Sequence, residues 1–172
     1  DKLLTQMEAW HEELGGVPVG DEDGLGRGRR DVIRWEPSTL HPLKVLEENP
    51  QTGEKTTWLI HELLSNRELS AEGRAMRHCV ASYAKNCRKG NTSIWSLQAV
   101  DADEERQPVM TIAVDPRRKN VTQVRGKFNI APVGKAKDAK QRSLNRSYVR
   151  LLERSQRIFK RWVAQEGLSL RC

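Results

Sequence analysis

Glu68-Leu69-Ser70-Ala71-Glu72-Gly73-Arg74-Ala75-Met76-Arg77-His78-Cys79-Val80-Ala81-Ser82-Tyr83, together with the later run Val121-Thr122-Gln123-Val124-Arg125-Gly126-Lys127-Phe128-Asn129, decides how this chain folds. Ser70 suits a helix N-cap and Glu72 a first-turn carboxylate, so the first run predicts a helix from Ser70 to Lys89, stopped by Gly90. Gly73 inside that helix costs roughly 1 kcal/mol relative to Ala, which implies either a break there or a close approach by another part of the chain. Between the two runs, Ser93 to Val100 and Pro108 to Asp115 alternate apolar and polar residues, as half-buried strands do. With Val121 to Arg125 they predict an antiparallel meander, because short turns join neighbouring strands most simply.

Outward from this centre, His41 to Glu47 and Glu54 to Glu62 are further strands, joined by a Pro- and Gly-containing loop fitting a hairpin. Asp31 to Trp35 reads as a short strand ended by Pro37. Lys2 to Leu14 has the spacing of an amphipathic helix, and the Gly-rich stretch from Gly15 to Arg30 reads as a linker. Downstream, Lys135 to Gln165 predicts one long helix whose apolar stripe is Leu144, Tyr148, Leu151, Leu152, Phe159, Trp162 and Val163. The fold class expected is α+β: a small antiparallel meander flanked by a central helix and a long basic C-terminal helix. Residues 1–30 are expected to be an N-terminal helix with its linker, and residues 31–172 the α+β domain.

A chain of 172 residues with 37% apolar content can bury one moderate core. No run approaches the roughly 20 apolar residues of a membrane helix, and no signal peptide opens the chain. Three cysteines, Cys79, Cys87 and Cys172, form no framework, so a cytoplasmic, reducing location is expected. Asp1 in place of Met leads one to expect either a processed chain or a fragment of something longer, whose partner domains would then hold part of the function. Charge is unevenly spread. Residues 117–172 carry 16 Lys and Arg against three acids, a net of +13 out of the overall +7, which leaves the rest of the chain at −6.

The stretch from about Trp58 to Asn129 resembles the PcfJ-like family of conjugative plasmids, phages and other mobile elements. The similarity lies in Ile60, Leu63, Leu64 and Leu69, then Glu72-Gly73, Met76, His78-Cys79-Val80 and Tyr83. It continues through Gly90, Ser93 and Thr111 to Gln123, Arg125, Gly126 and Asn129. Arg77 departs from the family, which often has a second His there, and the segment after Asn129 is more basic than usual. The resemblance implies an association with mobile-element, phage or defence biology and with nucleic acid.

His78 is the histidine with a chemical neighbourhood. Gln123 and Arg125, two apart on a strand, share a face; if that face meets the helix, an imidazole, an amide and a guanidinium converge with Tyr83 and Asn129. Imidazole moves protons near neutral pH and Arg clamps phosphate, so these are the parts of a metal-independent phosphodiester-cleaving site. Equally, buried polar groups hydrogen-bond one another merely to fix a helix on a sheet. Cys79, on the side of the predicted helix with Ala75 and Tyr83, reads as a small buried hydrophobe. The spacing of Cys, His, Asp and Glu fits neither zinc nor paired magnesium ions, and there is no phosphate-cradling Gly-rich loop, so neither metal nor cofactor is expected.

Residues expected to contact phosphates are Arg117, Arg118, Lys119 and Lys127, then Lys137, Lys140, Arg142, Arg146, Arg150, Arg154, Arg157, Lys160 and Arg161. Too few acids stand among them to neutralise them. The function expected is therefore a basic domain that binds RNA or DNA, with or without cleavage by His78 and Arg125. The alternatives are a non-catalytic adaptor in a DNA-processing complex and a protein-interaction module docking through the apolar stripe.

Overall fold

A computed structural model describes residues 31–132 and 139–170. The helix expected at 2–14, the Gly-rich linker and Lys137 lie outside these residues. The fold is α+β. Strands β1 (Leu43–Glu48), β2 (Lys55–Glu62), β3 (Ser93–Val100), β4 (Arg106–Asp115), β5 (Asn120–Gly126) and β6 (Ser169–Leu170) lie side by side in sequence order. The first five form an antiparallel meander, which contains the expected three-strand meander and β1–β2 hairpin and joins them through a β2–β3 pairing that was not foreseen; β6 joins β5 in parallel. Two residues carry too little pattern to announce a strand, and β6 was not foreseen. Residues 31–35 form only an isolated bridge, Arg34 to Ser65, rather than a strand.

Alternation gives the sheet two dissimilar faces. Trp58, Ile60, Trp95, Leu97, Met110, Ile112 and Val124 point one way and are buried beneath the C-terminal helix with Tyr148, Leu152, Phe159 and Trp162. Ile94 and Ala113 point the other way, where with Leu63, Leu69, Val80 and Cys87 they make a smaller second core. Among and beside them on this second face stand the polar residues Ser96, Thr111, Gln123 and Arg125, all buried.

The predicted Ser70–Lys89 helix is three pieces. Helix α1 (Asn66–Met76) starts well before Ser70 because Ser65 caps it, its side chain accepting from the Glu68 N–H at 3.1 Å. Arg77 then takes a left-handed conformation, φ 54°, and ends the helix. A 3-10 turn (Val80–Tyr83) and the short α2 (Ala84–Arg88) follow. Gly73 is explained by a close approach: a Cβ there would lie 2.8 Å from the His78 carbonyl oxygen, and the His78 N–H donates to the Gly73 carbonyl at 3.1 Å. The chain doubles back across the last turn of α1, which only a residue without a side chain permits.

The C-terminal helix is also divided. A six-residue α3 (Ala139–Leu144) precedes α4 (Arg146–Glu166), with Asn145 between them outside helical geometry, φ −126° and ψ 46°. Leu144, expected on the buried stripe, is 70% exposed as a result. From Tyr148 onward the stripe docks as its spacing implied. Trp162 is fully buried, its ring centroid 4.8 Å from that of Trp95 and its Nε1–H donating to the His41 carbonyl at 2.8 Å. Among the described residues no helix is long and apolar enough to cross a membrane.

Candidate functional site: a buried polar row and a basic helix

Strand register places His61, Ser96, Thr111 and Arg125 in one row across β2, β3, β4 and β5. Glu72 descends onto this row from α1. It occupies the buried side of that helix between Leu69 and Met76, an acid in a position that helical spacing assigns to the core. Its carboxylate accepts from Thr111 Oγ1 at 2.8 Å and from Ser96 Oγ at 2.9 and 3.0 Å, while Gln98 Nε2 donates to Ser96 Oγ at 3.1 Å. His78 completes the chain, its Nε2 lying 2.8 Å from Thr111 Oγ1. Since the threonine proton points at Glu72, the imidazole must donate its Nε2–H to the threonine oxygen.

Burial pushes this acid and this base in opposite senses. Desolvation raises Glu72 to about 6, opposed by its hydrogen bonds from Thr111 and Ser96. Desolvation lowers His78 to about 4, and the positive charge of Arg125 adds to the lowering. His78 and Arg125 thus come together, as the sequence pattern led one to expect, but inside the protein: they are 7% and 3% exposed. Arg125 Nη1 donates to the Val124 carbonyl at 2.9 Å. Tyr83 reaches Gln123, hydroxyl to Oε1, at 3.3 Å. Asn129 sits in a tight turn after β5 at φ 59°. Its Oδ1 is buried and accepts no hydrogen bond among the described residues.

Two expectations are corrected here. His78 and Cys79 belong to the turn after α1, not to a helix, and Cys79 is an exposed free thiol rather than a buried hydrophobe. The reason is the left-handed Arg77, which swings His78 inward and its neighbour outward. Glu72, Ser96, Gln98 and Thr111 were missed as members of the network. Their signal was available in the acid at a core position of α1 and in hydroxyl residues at inward-facing strand positions. Beside His78, the residues Gly73, Arg74, Arg77 and Cys79 complete the lining of a shallow surface depression.

The basic helix is partly self-neutralised. Arg154 and Arg157 both pair with Glu47 on β1, the former at 3.2 Å, and Arg154 also lies over the Trp58 ring, 5.5 Å from its centroid. Arg142 pairs with Glu153 at 3.4 Å and donates to the Ala131 carbonyl at 3.0 Å. Arg146, Arg150, Lys160 and Arg161 remain exposed, with no ion-pair partner among the described residues. At 3.6 residues per turn they lie along one outward stripe of α4, opposite Tyr148, Leu152, Phe159 and Trp162. Lys140 on α3 is exposed too, as are Arg117, Arg118 and Lys119 in the turn between β4 and β5, where Arg118 lies 3.9 Å from Asp115. Lys127 is half-buried, its ammonium 5.6 Å from the Phe128 ring centroid. Among the described residues no group of three or more His, Cys, Asp or Glu could hold a metal ion.

Compared with known proteins, the chain matches the family model described as PcfJ-like protein over residues 40–141. No curated protein and no solved structure matches it.

Proposed function

The chain belongs to the PcfJ-like family, and from that premise we propose that it is a nucleic-acid-binding domain that grips the phosphate backbone through the outward face of α4. The observation that carries this reading is the stripe of Arg146, Arg150, Lys160 and Arg161, exposed and without an acidic partner among the described residues. Like charges spaced along one helix repel each other, and a polyanion relieves that cost. Guanidinium and ammonium groups on a convex helix contact phosphates regardless of base, so affinity without sequence preference follows. The buried Glu72, Thr111 and His78 chain supports the same reading as architecture: it fixes α1 on the sheet and sets the shape that presents the basic elements.

Measuring duplex affinity against salt tests the proposal. A slope of log K against log salt well below zero is expected, and replacing the four stripe cations with Ala should make it shallower by about 3 to 4, at roughly 0.9 for each phosphate no longer neutralised. An unchanged slope would remove α4 from the interface, and no affinity at about 0.15 M salt would remove nucleic acid.

Cleavage is the second reading, and one observation favours it. A carboxyl raised to about 6 and an imidazole lowered to about 4 are linked through a single hydroxyl, the divergence that acid and base partners show in catalytic sites. The depression beside His78 adds Arg74 and Arg77, a place for a phosphate near the ring. For this reading labelled RNA or DNA must be cut in chelator by the wild type and not by His78→Gln; equal cutting by the two would leave the network purely structural.

A further inference from the structure

A groove beside the smaller core, bordered by Trp35 and Cys87, contains none of the cations of α4's stripe. It runs between the segment Arg34–Thr39, which borders the end of β2, and the junction of α2, β3 and the turn after β4. Its volume is about 720 Å³, within the ~300–1,000 Å³ typical of ligand sites.

Four cations border it: Arg34, Arg88, Lys89 and Arg117. All are exposed, and none has an ion-pair partner among the described residues. Two carboxylates also border it, Glu36 and Glu62. Glu62 is turned toward the wall, accepting from Ser38 N–H at 2.9 Å and from Ser38 Oγ at 3.1 Å, and burial raises its pKa. Nor are the cations there to cap α2. The carbonyls of Lys85, Asn86 and Cys87 already accept from the backbone N–H groups of Lys89, Asn91 and Gly90. Arg117 reaches back toward the end of α2: its Nη2 would stand at an ordinary contact distance, 4.0 Å, from a Cβ built on Gly90. Three basic side chains, Arg88 and Lys89 from the end of α2 and Arg117 from the turn after β4, therefore border one rim with no ion-pair partner among the described residues.

The facing wall supplies an aromatic ring. Trp35 is half-buried, with its Nε1–H fixed on the Leu63 carbonyl at 3.1 Å, so its ring is held in place with part of it on the groove. Cations that track a backbone, set against a fixed aromatic surface, are the two components of a single-strand site. A concave site of this size takes a single strand with its phosphates along the cationic rim and a base turned in against the indole. It cannot take a duplex, in which two backbones stand a full base pair apart.

We infer that this groove seats a short stretch of single-stranded nucleic acid, its phosphates on Arg88, Lys89, Arg117 and Arg34 and a base against Trp35. The inference rests on the nucleic-acid reading above and assigns it a second, strand-selective surface, with α4 contacting backbone of any form. A branch or an unpaired end beside a duplex would then engage both.

The test compares Arg88→Ala/Arg117→Ala with the wild type, using labelled oligothymidine, oligouridine and a duplex of equal length. Both arginines are exposed, so the melting temperature should not move. Single-strand affinity should fall at least tenfold, with a salt slope shallower by about 1.4, at roughly 0.7 per single-strand phosphate, while duplex affinity changes less than twofold. Photocrosslinking of an iodouracil-containing strand should label Trp35. Wild-type-like affinity for single strands, or an equal loss for strand and duplex, overturns the groove while leaving α4's role standing. If the wild type binds neither form, both readings fall together.

Discussion

Trp162→Ala is expected to unfold in urea with its midpoint lowered by an amount equivalent to about 3–5 kcal/mol, the cost of deleting a large buried aromatic. The indole is fully buried between α4 and the sheet, tilted 49° against Trp95, and its N–H is tied to His41. Deletion removes the ring packing, leaves a cavity and strands the His41 carbonyl. Trp162→Phe keeps most of the apolar surface and loses the hydrogen bond, so the destabilisation should be roughly 1–2 kcal/mol. An unchanged m-value would show that stability moved and not the size of the unfolding unit. A drop below about 1 kcal/mol for the alanine variant would mean that α4 is not held by this residue.

Acidification should destabilise the wild type less than its buried histidine alone implies. His78, ordinarily near 6.5, is lowered to about 4 in the fold. Its contribution to stability is therefore complete above pH 6.5 and is lost as pH falls toward 4. Glu72, ordinarily near 4.5, is raised to about 6, so its contribution is complete below pH 4.5 and is lost as pH rises through 6. Between pH 7 and pH 4.5 the two oppose each other, a loss of about 2 kcal/mol from His78 against a gain between about 1 and 2 from Glu72. His78→Gln keeps a donor for Thr111 but cannot titrate. Its stability relative to the wild type should therefore improve by about 2 kcal/mol over that range, followed by thermal melts at each pH. A difference independent of pH would show that His78 is not held neutral by burial.

The sheet was legible because its signal is local. Ser93 to Val100 came out with both ends right, since strict alternation fixes which side chains enter a core. β4 begins at Arg106 rather than Pro108 because a register shift at Leu97 and Gln98 lets the pairing continue, which one strand's pattern cannot reveal. The α1 boundary could have been read better: Ser65-Asn66-Arg67-Glu68 is itself a Ser-x-x-Glu start signal, and it outranks Ser70, which has no Glu or Gln three residues on. The break at Arg77 was illegible, because a left-handed arginine has no local preference for that shape and is imposed by the return of His78 over Gly73. Likewise Asn145 is neither Pro nor Gly, and the gap between α3 and α4 comes from docking.

The site was half legible for the same reason. Charge and spacing singled out His78, Arg125 and the cations of the C-terminal helix as candidates, but not which of those cations the fold itself would use. Glu47 takes up Arg154 and Arg157 across more than a hundred residues of chain, a pairing that exists only once β1 and α4 have met. Glu72 looked like a helix-dipole residue at a predicted second position. Shifting the start of α1 turns the same side chain inward, onto two hydroxyls.

The bond from Trp162 to His41 spans 121 positions, and it has a consequence for how the molecule is made. Ribosomes deliver the amino end first, so strands β1 to β5 can pair while one whole side of them, with Trp58, Ile60, Trp95 and Ile112, still has nothing over it. Greasy surface of that extent must be shielded by a chaperone or by speed until the last helix emerges. Biogenesis, rather than the finished shape, is where this architecture is most exposed to failure.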